Sequence, residues 1–131
     1  MHRPRRRSEV RGQALVEFAL VAVLFFILLF GIIDGSRAIY AYNTVANAAR
    51  VAARVAIVNQ DPNAVTDAAI AEGVGLGLTA DDVTFTSCSE KPCNVTVTVD
   101  YDFEAAAPLI DSLFDPTITS TAEMPLERPN P

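Results

Sequence analysis

The sequence predicts an α+β protein, in which a long N-terminal helix packs on a small antiparallel sheet. Three observations lead there. Residues 18–33 run for sixteen positions without a polar side chain. Residues 34–58 lack proline, are rich in alanine and carry polar groups at steps of three or four. Residues 94–103 alternate apolar and polar with a period of two.

The first element is a membrane span. Extended back to Ala14, the apolar stretch covers twenty residues with one interruption, Glu17. At about 1.5 Å per residue this reaches roughly 30 Å, the thickness of a bilayer's hydrocarbon core. A helix buried in a soluble domain keeps a polar stripe for solvent, and this one has none. The flanks orient it. Residues 1–12 hold five arginines and one acid, a net of +4, while the remainder holds five bases and fifteen acids, a net of −10. Arginines directly before a span hold that end in the cytoplasm, so the C-terminal part lies outside. A nucleic-acid-binding tail is the competing use of such a cluster, and the adjacent span disfavours it. A secretory signal peptide is the other competitor. Its apolar region runs about 7–15 residues, shorter than this one, and Asp34 and Arg37 sit badly beside the small-x-small site that can be drawn at Ser36-Arg37-Ala38.

Glu17 stands out, since an ionised carboxylate inside a span costs about 2.5 kcal/mol or more unless it is shallow or paired. It lies five residues after Gly12 and directly before Phe18. GQALVEF, from Gly12 to Phe18, resembles the type IV prepilin processing signal: a basic leader ending in Gly, then an apolar segment with Glu fifth and an aromatic sixth. The longer stretch RGQALVEFALV…LLFGIIDGSRAIYAYNTVANAARVAAR is similar to the TadE-like family of minor pilin-like proteins from tight-adherence (Flp) pilus systems. The likeness is strong over residues 11–58 and general beyond. Gly35-Ser36-Arg37 stands where the family places Phe, Gly or Gln before a Gly-Arg pair, a departure that leaves the likeness intact.

The resemblance implies a pilin-like fold and cleavage after Gly12 by a prepilin peptidase on the cytoplasmic face. Gln13 would then be the new N-terminus and Glu17 the fifth mature residue. A glycine leaves no side-chain bulk beside the scissile bond. Glu17 either pairs with a free α-amine within an assembly, setting subunit register together with Phe18, or rests unpaired at headgroup depth.

The helix continues past the membrane as a stalk to about residue 58. Arg37, Tyr40, Thr44, Asn47, Arg50 and Arg54 mark one face, and Ile39, Tyr42, Ala46, Ala49, Ala53 and Ile57 the stripe expected to be buried. Gly31 and Gly35 form a G-x-x-x-G pair at the outer membrane edge, either a close-packing site for another helix or a point of flexibility. Two helices broken between these glycines are the alternative to one. Asp34 marks the end of the span, and Arg37 either anchors at headgroups or pairs with Asp34 one turn away.

Asp61 and Pro62 predict the start of a second helix over 62–73, as cap and first residue. The GVGLG run, residues 73–77, closes it. With no strand before it and no clear helix after, it is a turn and no dinucleotide fingerprint. Strands follow at 83–86, at 94–103 with Val95, Val97, Val99, Tyr101 and Phe103 inward, and at 117–124. A short helix is expected at 105–114 and a loose tail after the last strand. Cys88 and Cys93 flank a four-residue turn and face each other across a hairpin in a compartment that permits oxidation, which predicts a disulfide. Metal binding is disfavoured because the only histidine, His2, lies at the other end.

The chain thus divides into a basic cytoplasmic leader (1–12), a transmembrane helix (13–33), a helical stalk (34–58) and an extracytoplasmic α+β domain (59–131). No catalytic set assembles outside the membrane, and no metal, cofactor, nucleic-acid or small-molecule site is expected. Asp81, Asp82, Asp100, Asp102 and Glu104 suit a solvated acidic face better than a calcium site. The function expected is structural: a single-pass, inner-membrane, pilin-like protein in the biogenesis of tight-adherence pili, with the membrane, other pilin-like subunits, the assembly machinery and the peptidase as partners. The alternative is an unprocessed, membrane-anchored binding module of the cell envelope.

Overall fold

A computed structural model describes residues 7–88, 93–106 and 116–126, with side chains from Gly12 onward. The body of the expected 105–114 helix, most of the tail, His2 and the arginines before Arg7 lie outside the described residues.

Helix α1 spans Arg7–Ala56 as one unbroken element of 50 residues, passing through Gly31 and Gly35 without interruption. It starts seven residues before the expected Ala14. Arg, Glu and Gln form helix readily, and no proline follows Pro4 until Pro62. It ends where Val58 and Asn59 donate to the Val55 carbonyl. Helix α2, Pro62–Glu72, starts as expected: Asp61 caps it by accepting from the Asn63 amide at 3.1 Å, with Pro62 in its first turn. The GVGLG turn closes it. A Cβ on Gly73 would collide with the Leu78 side chain, and Gly75 and Gly77 take φ of 87° and 71°, a region that favours glycine.

Three strands form an antiparallel meander in the order β1-β2-β3: β1 Val83–Thr86, β2 Asn94–Asp102 and β3 Thr117–Pro125. Val83 pairs with Val99 and Thr86 with Thr96, while Val97 pairs with Ala122 and Asp102 with Thr117. Alternation along β2 buries Val95, Val97 and Val99 against the helices and leaves the threonines on the other face. A 3-10 turn at Ala80–Asp82 precedes β1, where the Asp82 carboxylate accepts from the Thr79 amide at 2.7 Å and its hydroxyl at 2.9 Å.

The second half of α1 is the centre of the core. Val45, Ala48, Ala49, Ala52, Ala53 and Ala56 are fully buried between α2 on one flank and β2 and β3 on the other. Alanine lets two layers approach a helix closely, and each buried valine of β2 then contributes about 1.5–3 kcal/mol by leaving water. The expected stripe is corrected here. Ala49 and Ala53 are in it, but Ile39 and Tyr42 are 64% and 59% exposed, and the buried ridge is displaced toward Ala41, Val45, Ala48 and Ala52. The buried ridge is made of small apolar residues while Asn47, Arg50 and Arg54 stand exposed on the other side, and bulky side chains in the ridge would hold the sheet away.

Candidate membrane-spanning and processing segment

The first half of α1 has no such cover. Its most apolar stretch is entirely unburied by the rest of the chain, and Leu15, Phe18, Leu24, Phe26 and Ile32 all stand exposed. A contiguous apolar surface of this length, well beyond the few hundred Å² a soluble monomer shows, requires an apolar solvent or partner. By length and composition the helix is a candidate membrane anchor.

Gly12 lies inside the helix rather than before it, with open space around its Cα. Gln13 follows, and Glu17 sits one turn beyond on the same face, with Phe18 beside it; all three side chains are exposed. At 100° per residue Glu17 and Gly35 fall on the same line and Gly31 within about 40° of it. Among the described residues no atom beyond the neighbouring helix backbone lies within 4 Å of where a Cβ on Gly31 or Gly35 would stand, so this face is open at both glycines.

Asp34 closes the apolar run and has a partner the sequence did not disclose. It is only 6% exposed, and its Oδ1 accepts a 2.9 Å hydrogen bond from the Ala106 amide, beyond the end of β2. The Arg37 guanidinium lies 3.5 Å from the same oxygen, as in the second of the two expected readings. It also sits 5.6 Å from the centroid of the buried Phe103 ring. The end of the sheet is therefore fastened to α1 at the first residue past the apolar run. Six residues on, the Tyr40 hydroxyl donates to the Val74 carbonyl at 3.1 Å, so the GVGLG turn is tied to the helix just above. An acid directly behind a long apolar run was the available signal, and by itself it spoke only of a boundary.

At the opposite end of the domain, Cys88 and Cys93 form the expected disulfide, their Cα atoms 6.2 Å apart. The Cys88 amide donates to Gln60 Oε1 at 3.1 Å, which ties Cys88 to the linker after α1. The acidic residues do not converge. Asp100 accepts from the Thr119 hydroxyl at 2.6 Å and Asp102 from Thr117 at 2.9 Å, each within the sheet's outer face. Among the described residues no group of three or more His, Cys, Asp or Glu is placed to hold a metal.

Residues 12–54 match the family model of the TadE-like proteins. The match opens at Gly12 and closes two residues before the end of α1, so it covers the uncovered half of the helix, the Asp34 junction and most of the alanine ridge. It includes Glu17, Phe18, Gly31 and Gly35, whereas the sheet and the disulfide lie outside it. No match was found among curated proteins or among solved structures. The matched segment is thus one continuous helix with two environments.

Proposed function

We propose that this chain is a structural, pilin-like membrane protein that takes part in the biogenesis of tight-adherence pili. The observation that carries this is the coincidence of the TadE-like match with a helix whose apolar half is wholly uncovered. Such a helix is held in the cytoplasmic membrane until it exchanges lipid contacts for contacts with other pilin-like subunits. The basic leader stays in the cytoplasm and the sheet domain outside. Gly12 and Gln13 form the processing junction for a prepilin peptidase, Glu17 and Phe18 set register between subunits, and Gly31 and Gly35 admit a close helix neighbour.

The N-terminal residue of protein recovered from membranes of cells carrying the peptidase tests this. Gln13 at the start is the expected outcome, and an intact leader would count against it. Glu17→Ala should stop filament assembly while leaving membrane insertion intact; normal filaments would remove the register role.

One observation favours the alternative of an unprocessed envelope binding module. The Gly12–Gln13 peptide lies within α1, so a peptidase must first open the helix there. Glycine makes that opening easier, since it costs a helix interior about 1 kcal/mol relative to alanine.

A further inference from the structure

We propose that the GVGLG turn, with Val74 at its tip, rests on the lipid headgroup layer of the same membrane that α1 crosses, so the domain sits on the bilayer rather than above it on a stalk. The proposal rests on the membrane assignment of the apolar half of α1. Two contacts fix the height of the domain. Ala106 is bonded to Asp34 at the first residue past the apolar run, leaving no length of free helix between span and domain. The Val74 carbonyl is bonded to Tyr40, seven residues or about 10 Å beyond Ile33. Headgroups occupy about 5–7 Å on each side of the hydrocarbon, and helical side chains lean toward the N-terminus, here toward the membrane. The tyrosine hydroxyl and the turn it holds therefore reach the interface.

The chemistry of the turn suits that position. Residues 73–80 carry no charge, in a region otherwise rich in acids, and are bracketed by Glu72 and Asp81. Glu72 is engaged by the Asn47 amide at 3.0 Å. Val74 is 71% exposed while Leu78 is buried, so the turn spends one apolar side chain on the core and presents another outward. Ile39 and Tyr40, both exposed on α1 at the same height, continue this ring, and tyrosines are enriched where helices leave a membrane.

The chain contains no tryptophan, so one introduced indole reports its own depth. The full chain would be reconstituted in vesicles of phosphatidylethanolamine and phosphatidylglycerol as four variants: Val74→Trp, Ile39→Trp, Leu24→Trp and Val58→Trp. Quenchers would be a lipid labelled near the headgroup, a lipid labelled deep in the chain, and aqueous iodide. Val74→Trp and Ile39→Trp should be quenched by the shallow label and shielded several-fold from iodide relative to Val58→Trp at the far end of the domain. Leu24→Trp should respond to the deep label. If Leu24→Trp responds but Val74→Trp behaves like Val58→Trp, the turn stands clear of lipid and the proposal falls while the span survives. Val74→Trp shielded from iodide yet untouched by either lipid label would mean that protein covers the turn, which also overturns it. No lipid quenching of Leu24→Trp would remove the span and the proposal together.

Discussion

The two halves of α1 use opposite side chains to the same thermodynamic end. Before Asp34 the helix carries Leu, Ile, Val and Phe, and they are exposed; after it the helix is rich in alanine, and most of those alanines are buried. In the proposed membrane setting the larger side chains would meet lipid, which conforms to any shape. The smaller ones meet the sheet because a rigid layer must come close before its own valines leave water. Apolar area alone would assign the core to the wrong half. Size, and the position of polar groups such as Asp34, assigns it correctly.

The sharpest way to break this comparison is a charge in the first half. Leu24→Arg places a guanidinium near the middle of the span, where insertion scales assign about 3 kcal/mol of cost. Most of the protein should then be extracted from membranes at alkaline pH, while the sheet domain keeps its thermal transition. Loss of that transition together with membrane association would mean the halves are not independent.

The mirror experiment enlarges an alanine in the second half. Ala52 is fully buried against the core, and Ala52→Leu should destabilise the domain by about 2 kcal/mol through overpacking. In a domain of this size that is a fall of roughly 10 °C in midpoint. Leu24→Ala, a change of similar volume in the uncovered half, should leave the midpoint in place. Equal shifts from the two substitutions would abolish the distinction.

These contrasts also show which parts of the fold were legible in the sequence. The long apolar helix, the strands and the Asp61-Pro62 helix start were legible because each rests on a local rule: run length, alternation, or a cap beside a proline. The buried face of α1 was not fully legible. Ile39 and Tyr42 fit a helical stripe with Ala49 and Ala53, and only the position of the sheet shows that they stay outside. The cross-strand bonds of Asp100 and Asp102 to threonines needed the register of β3, and without it these acids read as part of a solvated acidic face. Of the candidate site, Gly12, Glu17 and the glycine pair were visible as spacing. The Asp34 to Ala106 bond joins residues 72 positions apart, a separation no local pattern reports.

That bond marks the border between the two halves, and its removal should give the smallest of these effects. Asp34→Ala deletes the acceptor for the Ala106 amide and the partner of Arg37. Ala106 is exposed although its bond to Asp34 is part-buried, and the loss should be about 1.5 kcal/mol, the low end for a bond to a charged group. Arg37 retains its place over Phe103, which limits the change to the end of the sheet nearest Asp34. Amide exchange at Ala106 should quicken while that of Val97, deep in β2, holds nearly steady. Asp34→Asn keeps a carbonyl oxygen for the amide and should recover much of the protection. If Asp34→Ala instead speeds exchange equally along β2, the border residue supports the whole core, and the halves of α1 are coupled through it.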